Sequence, residues 1–462
     1  MKRTLGQIFM YVVAAIFLGY HLMPVFSFAR GQVAQLLASN KKQQEIADNA
    51  ICTPADSQYL VLTEASPLQP LYREISYVDP ATQPLEGENL ITDPSFATRG
   101  VSWQKNTFGE NNAQFEIVGG YDDAYAARII MWNRKSGDGK WLSNAVAVKP
   151  AERVIVEHWY KSDTYSDVIA DITQSDGGHV YIQLGKGEPT NGKWLKLRYE
   201  IVIPIHAEQI AVGHALTENG TLDVDNWRLV KTELPQLERG LVSLTFDDGW
   251  ESIYTNGLPL FSKYNVKTTQ YVVSGAIGDK AYLKSDQLKK FAEAGHDIGS
   301  HSAQHEDLST IGEDGVRSSL ASSRDVLNDY YGMSVFDFAA PYGRTNARSE
   351  ALIKSCYRSH RGTDTGYNTA QFDRYNLKVM NVELTTKPEE IAAAVRFAKE
   401  NKLWLILVYH EVSDQSESAY AANLKDLERT LQILNEEQIP VVTISEGLRE
   451  TMPQVEAQFT KR

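Results

Sequence analysis

Between residues 88 and 232, apolar and polar positions alternate in short runs separated by turn residues. The runs fall at Ala127 to Trp132, Arg153 to Tyr160, His179 to Leu184, Trp194 to Pro204, Gln209 to His214 and Thr221 to Val230. Period-two alternation at this spacing predicts antiparallel strands stacked as a β-sandwich. After residue 238 the texture changes. Leu241 to Phe246 and Leu403 to Tyr409 are continuous apolar runs, as expected of strands buried on both faces of a parallel sheet. Helical periodicity lies between them. Asp286 to Ala294 carries Leu288, Phe291 and Ala292 as a stripe, with Ser285 as its expected cap and Gly295 as its stop. Val316, Leu320 and Leu327 mark a second helix, and Pro388 to Asn401, behind Thr386, a third. Ile439 to Ser445 reads as a last strand. Strand and helix alternating over 239–452 predict an α/β barrel.

Ahead of both regions lies Leu5 to Phe28, apolar apart from Gln7 and His21 and preceded by Lys2 and Arg3. Its length suits a bilayer crossing, although Ser27-Phe28-Ala29 also has the form of a signal cleavage site. Residues 1–30 are therefore expected to anchor the chain in a membrane or to be removed. Either way the remainder lies outside the cytoplasm. Residues 31–87, polar and then with five prolines from Thr53 to Gly87, read as a stalk and linker, and 453–462 as a tail.

Composition is globular, with 42% hydrophobic residues and a formal net charge of −13. That balance leaves no cationic surface for nucleic acid, and the lack of a Gly-rich phosphate loop argues against a nucleotide cofactor. Cys52 and Cys356 are the only cysteines, so a disulfide framework is excluded; they allow one bridge at most, and its absence is the expectation.

The candidate chemistry sits at strand ends. Thr245-Phe246-Asp247-Asp248-Gly249 closes the first apolar run, and His301-Ser302-Ala303-Gln304-His305 begins 56 residues after Thr245. Two histidines at i and i+4 on a helical turn point the same way, so both can reach one cation. A carboxylate completes three ligands and leaves an open position, the arrangement of catalytic zinc. Successive strand residues face opposite sides, so one aspartate ligates while the other serves as a base; the residues alone do not say which. Pro341-Tyr342-Gly343 breaks another strand end. His410 tips the run at Leu403 to Tyr409, a suitable place for a general acid.

These segments, across Gly240 to Met452, resemble the polysaccharide deacetylases of nodulation-protein homology, the fourth carbohydrate esterase family. The resemblance implies a distorted (β/α) barrel that removes acetyl groups from N-acetylated sugars. It assigns Asp247 as base, Asp248, His301 and His305 as metal ligands, and His410 as acid. The Tyr342 backbone N–H becomes an oxyanion donor, with Pro341 and Tyr342 lining the substrate. The implied metal is zinc, with cobalt or nickel as alternatives. Two departures stand out. The family's arginine ahead of Pro-Tyr-Gly is replaced by Ala339 or Ala340, leaving Arg344, Arg358 and Arg361 as candidates for its task. The family's Asp-Trp is also missing, and Glu383 or Asp364 could stand in to orient the acid histidine.

The sandwich opens with Asn89 to Phe96 and closes with Leu222 to Leu229, segments similar to the ends of carbohydrate-binding jelly rolls. Trp132 and Trp141, flanking the polar loop from Asn133 to Lys140, are the expected glycan contacts, and Asp223 with Asp225 could hold a structural calcium. The expected protein is multidomain: a membrane segment, an antiparallel β-sandwich and a catalytic barrel. Its expected function is metal-dependent deacetylation of an N-acetylglucosamine polymer, either peptidoglycan or an exopolysaccharide. Two other readings compete with it: a surface glycan-binding protein whose barrel no longer turns over, and a metal amidohydrolase acting on a non-sugar amide.

Overall fold

The computed structural model describes residues 84–122 and 124–452. The expected membrane segment, stalk, most of the linker and the tail lie outside the described residues. Among the described residues no helix is long and apolar enough to cross a membrane.

Alternation produces two antiparallel sheets. The first orders β1 (Gln104–Phe108), β4 (Asp138–Leu142), β10 (Ala207–Leu216), β7 (Ser166–Gln174) and β8 (His179–Gly187), with β5 (Val146–Ala147) also on β10. The second orders β2 (Asn112–Val118), β3 (Ala126–Trp132), β11 (Gly220–Thr232), β6 (Arg153–Ser162) and β9 (Leu195–Val202). Their inward residues share one core in which Phe96, Trp103, Trp141 and Trp227 are buried together. Trp141 is therefore core, not a glycan contact: its ring meets Phe96 and Phe115 edge-on. The calcium expectation also fails. Asp223 is neutralised by Arg128 and Lys161, and Asp225 accepts the N–H groups of Tyr121 and Asn226.

The apolar runs form a closed parallel barrel of seven strands: β12 (Leu241–Phe246), β13 (Thr269–Val272), β14 (Asp297–Ser300), β15 (Asp337–Ala339), β16 (Ser359–Thr365), β17 (Leu377–Asn381) and β18 (Trp404–Tyr409). β18 returns to pair with β12 along six residues, from Leu241↔Trp404 to Phe246↔Tyr409. Both strands are buried throughout, which is why their sequences do not alternate. The helices pack outside. They are α1 (Leu258–Tyr264), α2 (Ser285–Glu293), α3 (Glu313–Asp325), α4 (Ala347–Cys356), α5 (Pro388–Glu400), α6 (Leu424–Glu436) and α7 (Ile444–Thr451).

Three local expectations shift. The caps of α2 and α5 are Lys284 and Lys387, in place of Ser285 and Thr386. The expected last strand is a single bridge, Val242↔Val441, because Thr443 caps the Glu446 N–H and starts α7 there. Cys356 is disulfide-bonded, against expectation; the sequence's other cysteine, Cys52, lies outside the described residues.

The sandwich docks on the barrel rather than hanging free. Val202, at the end of β9, belongs to the barrel's own buried cluster, and Ala151, Ile205 and Leu234 pack against it.

Candidate metal centre

β12 delivers two aspartates to the rim of the barrel, and the backbone separates them. The Asp247 N–H donates to the Tyr409 carbonyl (2.9 Å), so this residue continues the strand and is buried. Asp248 then turns into the left-handed region with φ 70°, followed by Gly249 at φ 79°. Aspartate is among the few residues that tolerate this conformation. The reversal aims its carboxylate at the loop after β14.

That loop carries the histidine pair, though not as a helical turn. Residues 301–307 are irregular, with Ser302 at φ 67° and His305 at φ 59°. The Ser302 carbonyl accepts from the Ser274 N–H (3.2 Å) and from Ser323 Oγ (2.9 Å), which pins the bend. The rings converge nonetheless, with centroids 5.0 Å apart. Their Nε2 atoms stand 3.4 Å (His301) and 3.2 Å (His305) from Asp248 Oδ1.

The donor set fits a divalent ion. His301 Nδ1 donates to the Ala339 carbonyl (2.8 Å), so its Nε2 lone pair faces the cluster, the usual support for a metal-ligating imidazole. Asp248 Oδ1 is buried without a hydrogen-bond partner, as a ligand atom would be. Burial alone would raise the Asp248 carboxyl pKa; contacts with His301 and His305 outweigh it and hold that carboxyl far below the usual range. His301 is held up: burial lowers it, but Asp247 and Asp248 together overcome that. Among the described residues, Asp248, His301 and His305 are the one group of three or more His, Cys, Asp or Glu residues so placed. They form the divalent metal site.

Asp247 faces the other way, into a partner the sequence left open among three. Arg361, fully buried on β16, donates through Nη2 to Asp247 Oδ1 and through Nη1 to the Gly362 carbonyl (3.0 Å). Arg344 instead pairs with Asp307 and Arg358 with Asp337. In the parallel ladder Arg361 is the direct neighbour of Ala339. A guanidinium one strand over thus reaches Asp247, from the strand beside Ala339.

His410 leaves β18 with its Nε2 3.9 Å from Asp247 Oδ2. Burial lowers its pKa, against the pull of Asp247 and Asp248. Neither suggested carboxylate orients it: Glu383 is exposed and Asp364 is paired with Lys378 (2.9 Å). His410 Nδ1 is buried with no partner among the described residues. Tyr342 adopts φ 59° in the Pro-Tyr-Gly turn, 58% exposed, with its ring edge-on to His305 at 4.5 Å. Pro341 is buried at the start of that turn, whereas Trp132 is exposed at the far end of β3 in the sandwich.

Two residues escaped the sequence reading. Trp250 Nε1 donates to Asp248 Oδ2 (3.0 Å), and its ring stacks on Tyr282 at 4.9 Å. Its position directly after Asp-Asp-Gly was the available signal. Tyr420 lies 5.3 Å from the His410 ring and is 56% exposed. It sits in an irregular loop where no pattern marks it.

Residues 235–358 match the family described as polysaccharide deacetylase. YxkH of Bacillus subtilis (strain 168), whose name carries a provisional assignment as a polysaccharide deacetylase, is 26% identical over 219 residues; the match covers 44% of this chain and 78% of that protein. The peptidoglycan-N-acetylglucosamine deacetylase of Bacillus cereus is 32% identical over 103 residues, covering 22% of this chain and 36% of that protein. Among solved structures, the Xyl-CE4 domain of a multidomain xylanase from the hindgut metagenome of Trinervitermes trinervoides aligns with 46% of this chain and 91% of its own. Its identity is 20% and its TM-score 0.36, a loose superposition.

Proposed function

We propose that this chain, which carries a polysaccharide deacetylase domain, hydrolyses the N-acetyl groups of an N-acetylglucosamine-containing polysaccharide outside the cytoplasm, releasing acetate. The observation that carries this reading is the division of labour between two adjacent aspartates: Asp248 facing two imidazoles, Asp247 facing a buried guanidinium. When bound at Asp248, His301 and His305, a divalent ion, zinc in our reading with cobalt or nickel as substitutes, supplies Lewis-acid chemistry, polarising a carbonyl and acidifying water.

The remaining steps belong to side chains. With Oδ1 of Asp247 taken by Arg361, Oδ2 is the atom that accepts the proton of the attacking water. The Tyr342 N–H donates to the carbonyl oxygen as negative charge develops on it, a contribution on the order of 3 kcal/mol for one such donor. His410, on the far side of Asp247, returns a proton through Nε2 to the departing amine nitrogen. Acetate and a free amino sugar result.

A glycan substrate is favoured by the name of the Bacillus cereus relative, a peptidoglycan-N-acetylglucosamine deacetylase. A location outside the cytoplasm is favoured by the apolar stretch at Leu5 to Phe28 and by the oxidised state of Cys356, since disulfides persist chiefly in oxidising compartments. The test is acetate release from chitin oligomers, peptidoglycan and poly-N-acetylglucosamine. Turnover lost on chelation and regained with zinc is the expected result; a metal-loaded protein that releases no acetate from any of the three overturns the proposal.

A further inference from the structure

The two carboxylates at the barrel rim are held by partners of different charge. Asp247 meets the guanidinium of Arg361, which neutralises it. Asp248 is treated otherwise. Its Oδ1 faces both imidazoles and is buried without a hydrogen-bond partner, whereas its Oδ2 accepts the indole N–H of Trp250 (3.0 Å). An indole carries no charge and can only donate. It fixes the carboxylate yet leaves the full negative charge to attract a cation, which a lysine or arginine at the same place would cancel.

The indole is itself held in place by the backbone. The residues on either side of it pair with the segment that leads into α2: the Leu283 N–H donates to the Gly249 carbonyl and the Glu251 N–H to the Ala281 carbonyl, each at 2.8 Å. This antiparallel bridge sets Trp250 directly opposite Tyr282. The two form a pair without hydrogen bonds to each other, the arrangement that brings facing side chains closest. Their rings stack at 4.9 Å with 19° between their planes. Leu283 is buried in the barrel's outer core, so the segment cannot drift. The Glu251 carboxylate adds a second tie, accepting from Lys284 Nζ (2.7 Å) and from Gln287 Nε2 (2.8 Å) at the start of α2. Gly249, at φ 79°, makes the bend that folds the indole back onto Asp248.

We propose that Trp250 is a positioning residue for the metal centre: its N–H occupies Oδ2 of Asp248 and so aims Oδ1 at the point where His301 and His305 converge. The ion then receives one carboxylate oxygen, in an orientation set before it arrives. The inference rests on the metal-dependent reading only for the presence of an ion at these three residues, and is independent of which substrate is hydrolysed. Hydrogen-bonded supports of this kind orient the ligand atom, and losing one costs about 10–100-fold in metal affinity or activity.

The test measures Zn2+ affinity of the full chain, without substrate, by competition with a chelating dye. Trp250→Phe keeps a ring to stack on Tyr282 and removes the donor. A second variant carries 3-benzothienylalanine at position 250, an isostere of the indole without its N–H, and decides the matter if the phenylalanine protein melts lower than the parent. Both should raise the Kd for zinc at least about tenfold, with the melting temperature of the metal-free isostere protein unchanged. In the parent labelled with 5-fluorotryptophan, zinc should shift the fluorine resonance that is missing from Trp250→Phe. A Kd in the isostere protein equal to the parent's overturns the proposal, as does a parent that binds no zinc. Zinc binding that depends on the indole N–H, in a protein that releases no acetate, would sink the deacetylase reading and leave the role of Trp250 standing.

Discussion

Asp247 and Asp248 are chain neighbours with opposite surroundings, and one backbone rotation separates them. Substituting Asp247→Asn removes the proposed proton acceptor and leaves Asp248, His301 and His305 whole. Turnover should vanish while metal content per protein, read by mass spectrometry, stays unchanged; loss of metal would mean that the two roles are exchanged. Arg361 is the other decisive residue. A buried carboxylate that loses its buried partner typically costs about 3–5 kcal/mol. Arg361→Ala should lower stability in urea by that order and reduce acetate release at least a hundredfold, roughly, with Arg361→Lys recovering part of both. A fully active Arg361→Ala protein would refute the positioning role.

Within single elements, the sandwich holds a pair of imidazoles that the metal centre does not use. His158 Nε2 meets His214 Nδ1 at 2.8 Å, His214 Nε2 meets Ser166 Oγ at 2.7 Å, and Trp227 stacks on His158 at 3.9 Å. Burial holds both below their ordinary range, His214 at about 3. The folded pair is therefore neutral where the unfolded chain binds protons, near pH 6.5. Its contribution is complete above that pH and is lost as pH falls toward about 3. Calorimetry between pH 7 and 4 should show the sandwich melting at progressively lower temperature, with a shallower slope in His214→Gln. An unchanged slope would place the acid sensitivity elsewhere.

For the molecule as a whole, docking makes the sandwich part of the barrel's stability. Val202 lies inside the barrel cluster with Ile205 against it, so a chain beginning at residue 233 exposes apolar barrel surface. Such a truncation should melt several degrees lower and lose activity even on short oligomers. A truncated barrel with the parent's melting temperature would show that the contact carries no stability. Metal acts at the same scale: an ion at a hundred times its Kd adds about 2.7 kcal/mol to the folded state. Chelation should therefore lower the barrel's melting transition, read by scanning calorimetry.

Much of this could be read along the chain because burial leaves a periodic trace. The alternating runs of the sandwich, the unbroken apolar strands β12 and β18, and the polar groups at their ends are one-dimensional signals of two-sided or one-sided burial. Spacing likewise singles out His301, His305 and one of two aspartates, the family resemblance alone choosing Asp248, though the helical turn expected for His301 and His305 is a strained loop in which Ser302 and His305 hold positive φ. What spacing cannot carry is which side chains from distant strands meet. Arg361 and Asp247 are 114 residues apart, and their pairing follows from the closure of the barrel and the register of β16 beside β15. Trp141 and Trp132 look alike in sequence, yet only one is in the core, because strand parity and the opposing sheet decide it. Local pattern fixes what each strand buries, whereas partnership depends on how closed sheets bring remote residues together, and that is decided only when the chain is packed.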